Sequence, residues 1–284
     1  MPFGWTVNPF RGCEFGCRYC YARPTHEYLG HADPEEFEQR IYVKRPETPQ
    51  LIRDLERVRD SGQEVAIGAA TDPYQPAENR FAITRTVLEA MARVRGLRVG
   101  ITTKSASITR DLDVLRAIAG SSELHVNFSL ISLDADLLRL IEPRAPRPDL
   151  RLRAMRALTA ADVPTRLFIM PVLPFITDAE PGLRRLLSIA RQHGAREAIS
   201  QALFLRTPMT WSFYLAFIER EFPHLLPQYR ELYPRPGSAP TSYRQFIEQL
   251  VERLAREEGF AARSRAERIR DEAPPRPRQL SLVW

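Results

Sequence analysis

From residue 65 onward, short apolar runs rich in β-branched residues alternate with segments whose apolar positions recur at helical spacing. Residues 65–69 (Val-Ala-Ile-Gly-Ala) predict a strand, and 84–94 a helix with Val87, Leu88, Met91 and Val94 on one face. Residues 97–102 read as the next strand, followed by a helix over 109–119 that gathers Leu112, Leu115, Ile118 and Ala119. The alternation continues with a strand over 124–130, helices over 134–141 and 150–161, a strand over 165–170, a helix near 182–192 and a strand over 198–204. Repeated βα units build a parallel sheet with helices outside it. With a first strand near residues 5–8, the pattern predicts an α/β fold, an open parallel six-stranded (βα)6 barrel of partial TIM type, over residues 1–206.

After Arg206 the pattern turns helical: 211–222, 224–233 and, beyond a proline-rich linker at 234–240, a helix over 243–258 with Phe246, Ile247, Leu250, Val251 and Leu254 on one face. Residues 207–260 are therefore expected as a helical extension packed on the barrel, over its mouth or its edge. Residues 261–284, basic and rich in proline, are expected to be a flexible tail.

Sites in such barrels collect at the C-terminal ends of the strands. Cys13, Cys17 and Cys20 follow the first strand, Thr71 and Asp72 end the second, Lys104 the third and Ser129 the fourth, so all of them face one mouth.

Composition changes this picture little. A 284-residue chain that is 44% hydrophobic and 27% charged is an ordinary globular protein, which excludes general disorder. The longest apolar stretch, 167–176, is broken by Pro171 and Pro174 and falls short of the roughly 18 residues a membrane helix needs. The net charge of +6 is a mild surplus that gives some affinity for polyanions. Only Lys44 and Lys104 are lysines; Lys44 is expected in a solvated loop.

The cysteines do change it. The only three in the chain form a C-x3-C-x2-C run. Three thiolates from one short turn would hold a 4Fe–4S cluster and leave one iron open to a small molecule, which points to S-adenosylmethionine (SAM). Completion of a zinc site by His26 or His31 is the alternative. A disulfide framework is disfavoured by the odd count, and the N-terminus lacks a basic region and an apolar region of an export signal. Reduced thiolates without such a signal imply a cytoplasmic protein.

This spacing, with Tyr19 just before the last cysteine, resembles the signature of the radical SAM superfamily. Asn8-Pro9-Phe10-Arg11-Gly12, the run from Tyr21 to Tyr28, and Thr71-Asp72-Pro73-Tyr74-Gln75-Pro76 are similar to the spore photoproduct lyase-related branch. The resemblance implies an enzyme in which a 4Fe–4S cluster on the three cysteines cleaves SAM reductively to a 5′-deoxyadenosyl radical. That radical acts on an unidentified substrate, nucleic acid among the options, in a lyase-like reaction. A ferredoxin or flavodoxin would supply the electron. By the same resemblance Tyr19 borders the adenine, Thr71 and Asp72 match cofactor-binding positions, and Lys104 meets the methionine carboxylate; by their chemistry Thr71 and Asp72 suit a ribose hydroxyl or the methionine ammonium, and Ser129 is a candidate for a further hydrogen bond to that carboxylate.

The residues also carry plainer readings. Tyr19 packs in a tight loop, Thr71-Asp72-Pro73 is a strand-ending turn, Ser129 is structural, and Glu142 with Arg144 is a loop anchor. His26 either lines the substrate space or starts a helix. Ala69 stands where the lyases carry the cysteine that returns a hydrogen atom, so their reaction on thymine dimers is not implied; Tyr21 is an alternative relay. Only twelve residues precede Cys13, so an N-terminal extension common among relatives is expected to be missing. A non-catalytic zinc- or cluster-bearing nucleic-acid-binding protein is the competing function.

Overall fold

A computed structural model describes residues 3–261 and 278–280. All six predicted strands are present, parallel, and in sequence order: β1 (Trp5–Val7), β2 (Val65–Ile67), β3 (Arg98–Thr103), β4 (Glu123–Ser129), β5 (Thr165–Val172) and β6 (Ala195–Ala202). The sheet is not closed, and a seventh strand adds to its edge. This is β7 (Arg278–Gln279), parallel to β1 with Trp5 opposite Arg278 and Thr6 opposite Gln279. The Leu280 amide donates to the Thr6 carbonyl at 2.9 Å, and the Leu280 side chain is buried. Residues 278–279 are thus an edge strand, anchored by Leu280, where a flexible tail was expected; 262–277 and 281–284 lie outside the described residues.

Register divides each strand into two faces. Val99, Ile101 and Thr103 of β3 and Leu124, Val126 and Phe128 of β4 are buried in the layer shared with the helices. The barrel-facing positions are polar or small: Gly100 and Thr102 on β3, and His125, Asn127 and Ser129 on β4. A sheet with one oily face and one polar face is a scaffold for a ligand, not for a second core.

Five helices cover the oily face: α1 (Thr48–Asp60), α2 (Ile83–Met91), α3 (Leu112–Ala119), α4 (Pro148–Ala160) and α5 (Glu180–Gln192). Prolines within the first turn start α1, α4 and α5, where a missing N–H costs nothing. The sequence reading missed α1, whose buried Leu51, Leu55 and Val58 are spaced by charged residues. It belongs to a long crossover after β1 that also holds the antiparallel pair Phe10–Arg11 with Tyr42–Val43 and a short 3-10 helix, Arg23–Leu29. Lys44 sits in this crossover and is buried, contrary to expectation. Its amide donates to the Pro9 carbonyl at 3.0 Å, and burial, with Arg11 nearby, pushes its ammonium down to about 8.

The helical extension consists of α6 (Pro208–Glu221), α7 (Leu226–Leu232) and α8 (Thr241–Glu257). Thr207 and Thr210 cap α6 reciprocally. Buried Tyr229 and Tyr233 donate to the carbonyls of Pro174 and Leu203, at 2.7 and 2.8 Å, and so pin α7 to the loops that leave β5 and β6. The apolar face of α8 packs on β6 and α5, and α6 reaches the Arg23–Leu29 segment, where Phe213 lies 4.2 Å below the Arg23 guanidinium. Among the described residues no helix is long and apolar enough to cross a membrane.

Candidate metal and cofactor site

The cysteine loop is held by its own backbone and by three neighbouring segments. Gly12 has φ +88°, and a Cβ there would lie 2.8 Å from the Phe37 carbonyl and 2.6 Å from that of Arg40, so only glycine lets the loop lie against residues 37–40. The Cys13 amide donates to that same Phe37 carbonyl at 3.0 Å. Buried Arg23 donates to the Cys17 carbonyl at 2.9 Å and pairs with Glu38 at 2.5 Å; Arg18 and Arg144 approach the same carboxylate at 3.6 and 3.4 Å. Arg144 also donates to the Glu14 carbonyl at 2.5 Å, which ties the loop after β4 to the turn between Cys13 and Cys17.

Cys17 is buried, while Cys13 and Cys20 are partly accessible. Burial pushes the Cys17 thiol up to about 12, although Lys104 beside it pulls the other way. Cys13 is raised as well, by burial and then by the Asp72 carboxylate and Cys17. Protonated thiols are the natural state of such a site without metal; a bound metal would take them as thiolates.

The structure brings the expected residues to this mouth and gives each a set of partners. Thr71 donates to the Gly12 carbonyl at 2.6 Å, with Gln75 Nε2 reaching the same oxygen at 3.1 Å and Thr71 Oγ1 at 2.9 Å. Asp72 accepts from Thr103 Oγ1, the Tyr74 amide and the Lys104 amide at 2.8, 2.9 and 2.7 Å. Both side chains therefore organise the loop after β2 and join it to the cysteine turn and to the end of β3. Burial nonetheless raises the Asp72 carboxyl above its usual range.

Lys104 is half-buried, its Nζ 5.7 Å from the centre of the Tyr19 ring. Burial disfavours its charge, but Cys17 and Glu142 outweigh that and hold its affinity for the proton above the ordinary value. Tyr19 is buried and donates to Glu142, and its phenol is pushed well up, first by burial and then by that carboxylate.

Glu142 is a structural hub that its loop-anchor reading only partly captured. It pairs with fully buried Arg151 at 2.5 Å, and Arg151 also donates to the carbonyls of Ser129 (3.0 Å) and Pro146 (2.7 Å). Burial alone would raise the Glu142 carboxyl, yet Arg151 and Lys104 bring it below the usual range. Arg151, Gln75 and Asn127 were missed in the sequence. Arg151 lies within a helix of ordinary amphipathic pattern, and nothing local marks it.

Asn127 and Ser129 occupy the barrel face of β4, two residues apart. Ser129 Oγ and Asn127 Oδ1 are both buried and have no hydrogen-bond partner, while Asn127 Nδ2 donates to Thr102 Oγ1 at 3.3 Å. Buried polar atoms are normally paired, so two orphans on one face beside the strand that carries Lys104 mark a place for a polar ligand.

Of the two histidines, His31 is engaged through both ring nitrogens, while His26 is engaged through Nε2 and its buried Nδ1 has no partner. His26 is buried and its Nε2 bonds the Arg40 carbonyl at 2.9 Å; His31 bonds Tyr42 at 2.6 Å and faces Glu36 at 3.2 Å. His26 packs edge-on against Phe37 and does not line the mouth. Among the described residues, no three histidine, cysteine or acidic side chains converge on a single metal position. A mononuclear zinc needs four ligands within about 2.3 Å of one point.

Comparison with known proteins completes the description. The family model described as Radical SAM superfamily matches residues 7–187. An uncharacterized protein of Mycobacterium tuberculosis is 35% identical over 282 residues, which are 99% of this chain and 82% of that protein. One of Methanocaldococcus jannaschii is 24% identical over 259 residues, 89% of this chain and 87% of its own. Among solved structures, a serine-for-cysteine mutant of spore photoproduct lyase superposes with a TM-score of 0.68 at 16% identity, covering 90% of this chain and 74% of the lyase. Spore photoproduct lyase complexed with dinucleoside spore photoproduct gives 0.65 at 16% identity, over 88% and 72%. Streptococcus suis SuiB bound to SAM gives 0.53 at 16% identity, over 80% and 48%.

Proposed function

The chain belongs to the radical SAM superfamily, and from that premise we propose that it is an enzyme that holds a 4Fe–4S cluster on Cys13, Cys17 and Cys20 and cleaves SAM reductively. When bound, the cluster and SAM together supply a 5′-deoxyadenosyl radical able to take hydrogen from carbon. The observation that carries this reading is the pair of orphaned buried atoms, Ser129 Oγ and Asn127 Oδ1, beside the strand that ends in Lys104.

The protein's own residues divide the work. Lys104 offers a compact positive charge to the methionine carboxylate, held protonated by the acidic groups around it. Ser129 and Asn127 supply the missing hydrogen bonds to SAM, and Tyr19 borders the adenine with its phenol fixed on Glu142. Thr71 and Asp72 act chiefly by fixing the cysteine turn to β2 and β3; Asp72 keeps acceptor capacity for a SAM ammonium or hydroxyl.

For the substrate we propose nucleic acid. The net charge of +6 supports this, as does the fold shared with a lyase solved with a dinucleoside photoproduct. The lyase reaction itself is not part of the proposal, since Ala69 offers no thiol and the Tyr21 phenol beside it donates to the Ala69 carbonyl. Binding through phosphates must weaken steeply with salt, and oligonucleotides that fail to bind at low salt would remove this substrate class.

The deciding experiment is anaerobic reconstitution with iron and sulfide, reduction with dithionite, addition of SAM and quantification of 5′-deoxyadenosine beside a Cys17→Ala control. Product in the unmutated protein alone is expected. Zinc without acid-labile sulfide in the purified protein, or an intact cluster that fails to bind SAM, would overturn the reading.

A further inference from the structure

Gln75 lies in the loop that leaves β2, immediately before the short helix Pro76–Phe81, and it is fully buried. A buried carboxamide needs its polar atoms matched, and the partners here allow one orientation only. Oε1 accepts from the Glu14 amide at 2.9 Å, and a backbone N–H can only donate. Nε2 donates to the Gly12 carbonyl at 3.1 Å and to Thr71 Oγ1 at 2.9 Å, and a carbonyl can only accept. Thr71 Oγ1 passes its own hydrogen to the same Gly12 carbonyl, which closes a triangle of hydrogen bonds. Gly12 and Glu14 are the two neighbours of Cys13. One side chain from a loop distant in sequence therefore grips the backbone on both sides of one cysteine, and the Glu14 carboxylate adds to the grip by accepting from the Ala77 amide at 2.6 Å.

The same loop also reaches the Cys13 sulfur. The Phe15 and Asp72 amides direct hydrogen bonds at it, and both favour the thiolate against the effect of burial. At Cys17 that part is taken by the charges of Lys104 and Arg151. The Phe15 donor moves with the cysteine turn, whereas the Asp72 donor belongs to the loop after β2. The second bond therefore lasts only while turn and loop keep their register, and Gln75, together with Thr71, is what ties one to the other. Donors that face a ligand sulfur stabilise the extra negative charge of a reduced iron–sulfur cluster, and so raise its reduction potential. Groups that orient ligands from behind also decide how tightly the metal is held.

We propose that Gln75 is a positioning residue for Cys13: by clamping Gly12 and Glu14 it keeps the cysteine sulfur on the Asp72 amide, and so holds up the reduction potential of the cluster ligated there. The inference rests on the cluster assignment made above. It is specific to a glutamine. A glutamate would set a carboxylate against the Gly12 carbonyl, and an asparagine is one methylene shorter than the span from Gly12 to Glu14 requires.

The test compares the full chain with Gln75→Met and with Leu250→Ala, a control that removes a buried side chain of α8, and circular dichroism verifies folding. On the reduced, unreconstituted chain, iodoacetamide labelling resolved by peptide fragmentation reports the reactivity of Cys13 relative to Cys20. After reconstitution with iron and sulfide, a mediated titration followed by electron paramagnetic resonance gives the midpoint potential, and a chelator competes for the iron. Expected in Gln75→Met alone are faster relative labelling of Cys13, a lower midpoint potential, and iron given up to the chelator about tenfold more readily. Labelling ratios and potentials equal to those of the unmutated chain would overturn the proposal. So would equal shifts in Leu250→Ala, which would make the effect one of general stability. If Gln75→Met does not fold, amide exchange in the unmutated chain decides: the Glu14 amide is expected to be protected by its bond to Gln75, and free exchange there would overturn the clamp. Failure of the unmutated chain to assemble a cluster defeats the cluster assignment alone, since labelling and amide exchange need no metal.

Discussion

At Ser129 a buried hydroxyl without a partner has opposite consequences for stability and for binding. Ser129→Ala removes an unsatisfied group, so the thermal midpoint of the protein without SAM should stay level or rise slightly. The same change should weaken SAM binding by about five- to tenfold, the worth of roughly one hydrogen bond. Thermal shift with and without SAM reads both signs, and a loss of stability without SAM would contradict the orphaned state of the hydroxyl. Lys44 gives a pH signature. Its folded-state value, about 8, lies below that of an unfolded lysine, so between about pH 8 and 10 the unfolded chain binds more protons and this group makes stability rise with pH. Below that window its burial is a constant penalty. Lys44→Met should remove the rise, visible as the difference between the two urea-unfolding curves at pH 7 and pH 9.5. At this scale the sequence singled out the cysteines as the candidate cluster site, because three thiols in one turn have few other uses. Lys44 was hidden, since burial of a single lysine in an irregular crossover follows from contacts between residues distant along the chain.

The Glu142–Arg151 pair shows how a loop and a helix combine to make one wall. Arg151→Met leaves Glu142 buried with the Tyr19 phenol and Lys104 as remaining partners, and should cost about 3–5 kcal/mol in chemical denaturation. Glu142→Gln should cost less, because Arg151 keeps the Ser129 and Pro146 carbonyls. Equal losses would show that the carbonyl bonds contribute nothing. The β2–β6 alternation with α2–α5 was legible because most of the helices carry an apolar stripe at helical spacing and short apolar runs separate them, although β4 and β6 hold only one β-branched aliphatic residue each. The helix α1 was not, since its buried Leu51, Leu55 and Val58 are diluted by arginines, aspartate and glutamate along the same thirteen residues. The placement of α8 on β6 and α5 was likewise beyond a pattern that gives a buried face without its partner.

For the whole molecule the open barrel followed from repeated βα units, while the helical pattern after residue 206 gave no sign of the antiparallel pair that Gly237–Ser238, in the expected linker, makes with Phe204–Leu205. The edge strand β7 did not follow either, because two residues of pairing inside a proline-rich basic stretch leave no periodic signal. Leu280→Ala tests its worth: a leucine 2% exposed should cost about 2–5 kcal/mol, read by urea unfolding. A change below about 0.5 kcal/mol would mean that this edge adds nothing to the fold. The same strand sets an order of events in synthesis. β1, which leads directly into the cysteine loop, pairs on one side with residues 65–67 and on the other with residues 278–279. At about 5–20 residues per second, its inner edge is matched early, while its outer edge waits roughly 10–40 seconds longer for residues 278–279 to be made. Throughout that interval the newborn chain carries an unpaired backbone edge next to its cysteines, and closing that edge is the act that joins residues 278–279 to the strand that leads into the cysteine loop.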